Sequence, residues 1–344
     1  MSLVNFTNLD FDQIKQTLKD YLQNNSKFTD YDFEGSNLSS ILDVLAYNTY
    51  ITSYNANMVA NEVFIDSATL RENVVALARN IGYVPRSKKS SRTKLRFRVD
   101  VSSISPTPSS LTLKAGPVAT SSGQFRGRSF VFSIPEDIST PVIDGVALFD
   151  EIEVYEGTLL ENVFTFASRS PNQKFILPNT GIDLDTLVVN VSPSLDSTVS
   201  VKYERHDNLF DNDSNRVVNS GSNIFFLQEV SGEQYELIFG DGVFGKELQD
   251  GNVVRAKFII TSGADANGIK SFSYAGRLTY TRNGVELNVT SGIGLLFTPA
   301  QSSGGEDIES IDSVRKYAPQ IYACLLYTSP SPRDRTRYRM PSSA

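Results

Sequence analysis

NEVFIDSATLRENVVALARNIGYVPR, the stretch Asn61–Arg86, decides how this chain is divided. Thr69 and Glu72 fit a capping box, and Leu70, Val74, Leu77 and Ile81 recur at 4-3-4 spacing on one helix face. Gly82 followed by Pro85 is a C-terminal stop, because glycine accepts the left-handed turn that ends a helix and proline cannot continue one. Upstream, Asn37–Phe64 runs for 28 residues without Pro or Gly. Within it Val44, Tyr47, Ile51, Tyr54 and Met58 follow a 3-4-3-4 spacing, the pattern of a seam packed against other helices. A second stripe, Leu38, Ile41, Leu45, Asn48, Thr52 and Val59, turns polar midway, which suits an interface that needs a fixed register. Spacing alone leaves two readings open, the core of a small helical domain and a bundle formed by several chains.

The texture on either side of Pro85 is different. Before it, Phe11, Ile14, Leu18 and Leu22 give a first amphipathic helix over Phe11–Asn24, with Asp10 as its cap. After it, from Thr93 to about Tyr280, short runs rich in β-branched and aromatic residues alternate with Gly, Pro, Asn, Asp and Ser. Such runs include LRFRVDV, SFVFSI, FTFASR, TLVVNV, STVSVKY, NIFFLQE, YELIF and VVRAKFII. Ser102–Ser110, Gly123–Gly127 and Asn172–Thr180 read as loops or turns. Gly304–Tyr322 regains helical character, with Ile308, Ile311, Val314 and Tyr317 on one face. The fold class is therefore α+β: a helical region over 1–85, a large, mainly antiparallel β-rich domain over 86–300 that can divide into two subdomains, and the start of a further helical segment over 301–323.

Two motifs carry a resemblance to a known family. YDFEGSNLSSILDVLAYNTY at Tyr31–Tyr50, continued through Arg86, resembles the baseplate wedge subunit of T-even-type contractile-tailed phages, within the broader baseplate J-like group. FGDGVFGKELQDGN at Phe239–Asn252, followed by TSGADANG at Thr261–Gly268, is similar to the J-like core. The resemblance implies a structural protein without enzymatic activity. It implies assembly through a multi-chain helix bundle with a homodimer partner and other wedge proteins, into a ring around the tail hub that takes part in the switch to sheath contraction. It places the protein in the virion baseplate after assembly in the host cytoplasm. On this reading the interface candidates are Val44, Tyr47, Ile51, Tyr54, Met58, Leu70, Val74, Leu77 and Ile81, while Gly240, Gly242, Gly245 and Gly251 are structural turn positions.

The last 21 residues, CLLYTSPSPRDRTRYRMPSSA from Cys324 to Ala344, have no apolar periodicity. Back-translation of Cys324–Asp334 resembles a transposase-based sequencing adapter read in frame, so residues 324–344 are expected not to be native. The natural protein is then expected to continue past Ala323. Without this tail the only cysteine has no bearing on redox or nucleophilic chemistry, and 28 Lys plus Arg stand against 38 Asp plus Glu, a net charge of −10 in place of −7. An acidic chain is a poor match to nucleic acid, which needs a basic stripe to displace condensed counterions. One local exception is Arg86–Arg98, with seven positive charges, read either as a solvated linker entering an edge strand or as a dock for an acidic neighbour. No run of 18 apolar residues predicts a membrane span, and the N-terminus lacks a secretion signal pattern.

The motifs that suggest chemistry do not survive their spacing. Gly240-Asp-Gly242-Val-Phe-Gly245 matches G-x-G-x-x-G, but a dinucleotide site needs a helix directly after the last glycine, whereas KELQDGNVV leads to a turn and a strand. The glycines are read as turns requiring positive φ. Asp211, Asp213 and Asn215 have calcium-loop spacing, yet Arg216 and Ser222 stand where the loop demands Gly and Glu. His206 is the only histidine, so no multi-histidine metal site exists, and no nucleophile partner accompanies it. Asp150, Glu151 and Glu153 read as surface charge, since proximity in sequence says nothing about the carboxyl separation that glycoside hydrolysis requires. No cofactor, metal or small-molecule substrate is assigned. Two rivals to the structural reading are a host-surface or glycan-binding tail module and a tail-associated hydrolase. No internal repeat supports the first and no carboxylate stands out for the second.

Overall fold

The computed structural model describes residues 10–25, 35–169, 173–206 and 218–327, with the side chains of 25 and 321–327 left out. The acidic cluster at Asp207–Asn215, residues 31–34 of the first family motif, the Cys324 side chain and the tail 328–344 lie outside the described residues. The chain divides into two compact units, Met1–Tyr83 with Ser310–Ala344, and Val84–Glu309.

Among its described residues the first unit holds four helices. In α1 (Phe11–Asn25) the Asp10 carboxylate accepts from the Asp12 and Gln13 amides at 3.0 and 3.2 Å, the expected cap. In α2 (Asn37–Glu62) Ser36 Oγ accepts from the Ser39 amide at 2.9 Å. Lys15 pairs with Asp43 between the two helices. Helix α3 (Arg71–Asn80) ends where Gly82 takes a φ of +81°. Helix α4 (Ile311–Tyr327) is capped by Ser310 Oγ, which accepts from the Ser313 amide at 3.2 Å. Ala68, Val74 and Ala78 form one buried cluster with Val314 and Ala318. The last segment thus joins the N-terminal helices instead of opening a separate region. Its buried face is Val314 and Ala318, whereas Tyr317 is exposed.

The second unit contains two sheets among the described residues. The first has nine strands: β1 (Arg92–Asp100), β2 (Ser110–Leu113), β3 (Gly116–Ser121), β4 (Val131–Ile134), β5 (Ile138–Ile143), β6 (Val146–Glu156), β14 (Phe272–Tyr274), β15 (Leu278–Arg282) and β16 (Val285–Val289). β6 organises it: its start pairs with β5, its end with β4, and β1 lies along its other edge. The second sheet has seven strands in the order β7-β13-β9-β10-β11-β12-β8. These are β7 (Thr158–Thr165), β8 (Phe175–Leu177), β9 (Ile182–Ser192), β10 (Val201–Arg205), β11 (Ile224–Val230), β12 (Gln234–Phe239) and β13 (Val253–Ile260). Every ladder is antiparallel except β10 with β11. Each sheet has its own core, one around stacked Phe97 and Phe149, the other around Phe175, Phe225 and Tyr235.

The sheets are joined with no linker. Glu156 ends β6, Thr158 begins β7, and only Gly157 separates them, at a φ of +128°. A Cβ there would lie 2.2 Å from the Ile260 carbonyl oxygen, so only glycine fits. Buried Glu156 accepts from Thr261 Oγ1 at 2.6 Å and the Ser262 amide at 3.0 Å, which fixes the crossing.

Two local expectations are corrected. Asn172–Thr180 is more than a turn, because β8 occupies Phe175–Leu177 and pairs with β12, burying Phe175 and Leu177. β1 is not an edge strand: residues 293–306 run beside it through bridges at Val99–Ile293, Arg96–Phe297 and Arg92–Ser303.

Candidate functional site

Helix α2 presents an unusual surface. At 1.5 Å per residue its 26 residues span about 39 Å, and only Asp43 and Glu62 in it are charged. Both charges are engaged inside the helical unit, Asp43 with Lys15 and Glu62 at the start of α3. Apart from Leu42 the buried side is small or polar, comprising Ser39, Ala46, Asn57 and Asn61. Asn61 Nδ2 donates to the Asn57 carbonyl and Ser67 Oγ to the Asn61 carbonyl, both at 2.7 Å, which satisfies these groups locally.

The large apolar side chains face the other way. Val44 is 68% exposed and Tyr47 60%, while Ile51 and Tyr54 are also exposed and Met58 is half-buried. Ile41, Leu45 and Val59 are exposed too, so the second stripe borders the first. Its polar middle, Asn48 and Thr52, is exposed, and Thr52 Oγ1 donates to the Asn48 carbonyl at 2.8 Å. About half the circumference of α2 is consequently outward and free of charge, with large apolar side chains interrupted by Asn48 and Thr52. A solvated helix face normally carries charged residues, which this one lacks.

The α3 candidates separate into two groups. Leu70 is exposed, whereas Val74 is fully buried against α4 and Leu77 and Ile81 are partly buried beside the same cluster. The side chains of those three are engaged within the chain. The capping box is replaced by a longer-range cap. Leu70 occupies the N-cap position without a side-chain bond. Glu62 takes over: Oε1 accepts from the Thr69 amide at 2.7 Å and hydroxyl at 2.5 Å, and Oε2 from Asn73 Nδ2 at 2.7 Å. Burial alone would raise its pKa, but these bonds outweigh it and hold the carboxylate at about 2.

In the second unit, Gly242, Gly245 and Gly251 adopt positive φ, as turns require. Gly240 differs: its φ is ordinary, and glycine is needed because a Cβ would come within 2.3 Å of the Gly245 backbone. Asp241 Oδ1 accepts from the Phe244 and Val243 amides, which lowers its pKa and closes the loop on itself. No helix follows Gly245, so no helix N-terminus is available to a phosphate.

Six of the seven cations of the basic run are paired within their own unit. Arg86 pairs with Glu306, Lys88 with Asp307, Lys89 with Asp185, Arg92 with Glu153, Lys94 with Glu151 and Arg96 with Asp150. A bulge makes the ladder possible. Glu151 takes a φ of +51° where the β1–β6 register shifts, so Asp150 and Glu151 both point outward opposite Arg96 and Lys94. Hydrogen bonds from these partners raise the pKa values of Lys94 and Arg96, and Arg96 lowers that of Asp150. The three clustered carboxylates are thus cross-strand ion-pair partners. His206 is buried and its amide donates to the Phe225 carbonyl. Among the described residues no group of three or more His, Cys, Asp or Glu could hold a metal ion, and no helix is long and apolar enough to cross a membrane.

Sequence reasoning missed the buried carboxylates, among them Glu156, Asp183 and Glu309. Asp183 accepts from the Ser90 and Asp185 amides, and burial raises its pKa. Sequence also left TSGADANG without a physical role. Thr261 binds Glu156, and Asn267 Oδ1 accepts from Ser91 Oγ and the Gly305 amide. Dense short polar residues around glycines signalled backbone satisfaction there, but not its partners.

Residues 10–83 match the model of a family described as baseplate wedge protein gp6-like, helical domain. Baseplate wedge protein gp6 of Enterobacteria phage T4 is 26% identical over 326 residues, covering 89% of this chain and 46% of the relative. The chain therefore spans about half the length of that protein. A chain from the cryo-EM structure of the anti-feeding prophage baseplate, 6-fold symmetrised, is 12% identical and covers 89% of this chain and 52% of its own length, at a TM-score of 0.25 too low to carry an argument. Residues 10–83 are accordingly similar to the gp6-like helical domain, and the chain as a whole resembles a baseplate wedge protein.

Proposed function

We propose that this chain is a structural subunit of a phage tail baseplate wedge, with no enzymatic role, and that the outward face of α2 is its principal assembly surface. The observation that carries this reading is the uncharged apolar half of α2. Removing four half-exposed side chains, Val44, Tyr47, Ile51 and Tyr54, from water contributes on the order of 4 kcal/mol before the cost of association. Their 3-4-3 spacing suits helices from a second copy or from other wedge proteins, and Asn48 and Thr52 supply a polar layer that penalises wrong registers. The likeness to gp6 supports a place in the baseplate wedge; assembly into a ring around the hub of the virion, formed first in the host cytoplasm, belongs to the same proposal. Participation in the switch to sheath contraction follows as part of the same proposal and needs interfaces with two packings of similar energy.

The test is the double substitution Ile51→Asp and Tyr54→Asp in the full chain. Wedge assembly, followed by co-sedimentation with the neighbouring wedge proteins, is expected to fall at least ~100-fold, since two buried unpaired carboxylates are costly. The circular dichroism of the β unit is expected to stay unchanged. Assembly that survives both changes removes the assignment.

A further inference from the structure

Residues 86–92 and 302–309 run antiparallel as a hydrogen-bonded ribbon within the β unit. Lys89 N donates to Glu306 O at 2.9 Å and Glu306 N to Lys89 O at 3.1 Å. Arg92 and Ser303 exchange the same pair at 2.9 and 3.0 Å. At the open end Arg86 N donates to Glu309 Oε2 at 2.9 Å, and Glu309 N donates to Arg86 O at 3.1 Å. Glu309 is buried, and its carboxylate satisfies the Arg86 amide at the open end of the ribbon. Asn267 anchors both strands: its Oδ1 accepts from Ser91 Oγ at 2.8 Å and Gly305 N at 2.9 Å, and its Nδ2 donates to Gly305 O at 2.9 Å.

The ribbon stands at both places where the chain passes from one unit to the other. It begins just after Tyr83 and ends at Glu309, immediately before Ser310, the cap of α4. The helical unit is discontinuous, because α3 and α4 share one core although the whole β unit lies between them in sequence. That core is small: Ala68, Val74, Ala78, Val314 and Ala318 are buried, Ile65, Leu77, Ile81, Tyr83 and Ile311 pack partly buried against them, and Arg315 donates to the Ala68 carbonyl. So small a core is a modest reward for closing so long a loop. Once residues 86 and 309 are paired, the closure has already been made and α3–α4 docking becomes a local event.

We propose that the ribbon is the closure of the helical unit, a gate that makes completion of α3 by α4 depend on the β unit having folded. A chain whose β unit is unfinished then carries α3 with Val74 and Ala78 uncovered, and the helical unit that bears the α2 face is completed last. The inference does not depend on what α2 binds, since its readout is protection and not assembly.

Hydrogen exchange on the full chain tests it. Glu309→Ala is expected to accelerate exchange in Val74–Ala78 and Val314–Ala318 together, about tenfold, with β9 and β13 unchanged. Glu309→Gln, which keeps an acceptor for the Arg86 amide, is expected to remain near the unmodified chain. Unchanged exchange in α3 and α4, or a uniform loosening that includes β9 and β13, overturns the proposal. Should Glu309→Ala fail to fold, pulse labelling during refolding of the unmodified chain decides. The amides of α3 and α4 are expected to gain protection no earlier than those of Lys89 and Arg92, and earlier protection overturns it.

Discussion

Glu62 shows how one side chain can do what a local motif suggested another pair would do. The expected reciprocal cap between Thr69 and Glu72 would have closed α3 from within, but the last residue of α2 closes it from outside and so ties two helices at one point. Glu62→Ala is expected to cost about 1 kcal/mol, the usual value of a lost N-cap, and to show first as faster amide exchange at Asn73 and Val74. The group's folded pKa, about 2, lies below its ordinary 4.5. Its contribution is therefore complete above about pH 4.5 and is lost as pH falls through about 2. Thermal melts across that window should lose part of their pH dependence in Glu62→Gln. Glycines offer a second residue-scale contrast. Gly251→Ala meets no neighbour within 4 Å and strains only its φ, whereas Gly240→Ala drives a Cβ into the Gly245 backbone. About 1 kcal/mol is expected for the first and about 2 kcal/mol or more for the second, read from urea midpoints. Equal midpoints would refute the close-approach account of Gly240.

At the scale of elements, β1 was legible in detail. Alternation predicts Lys94, Arg96 and Arg98 outward, and all three are exposed while Leu95, Phe97 and Val99 are buried. The partners of these cations could not be read, because pairing β1 with β6 depends on a register that a bulge at Glu151 alters, and alternation within one strand carries no information about its neighbour. If the ladder is cross-strand pairing, Arg96→Glu lowers the melting temperature and adding Asp150→Arg restores most of it. Additive losses in the double variant would show that the two residues do not interact. The same limit explains β8: three residues, Phe-Ile-Leu, are too short a run to outweigh surrounding turn signals, and only β12 makes them a strand. Helices α1 and α2 were readable to within two residues because each carries its own cap and its own period.

For the molecule as a whole, sequence order and spatial order disagree in one place. Reading along the chain separates residues 310 onward from the N-terminal helices, since spacing within a helix reveals which face is apolar and not where its partner lies. The α2 face is the converse case. Its apolar stripes were legible, but whether they were core or surface was settled only by Ser39, Asn57 and Asn61 taking the buried side. A different consequence comes from Gly157. With a single residue between β6 and β7, pressed against the Ile260 carbonyl, there is no slack where the two sheets meet. A protease finds no accessible bond at that crossing, and neither sheet can be exchanged between copies by swinging on it. At that crossing a pull on one sheet reaches the other through a single residue, whereas the return crossing from β13 to β14 has residues 261–271 to take up strain between the two separate cores.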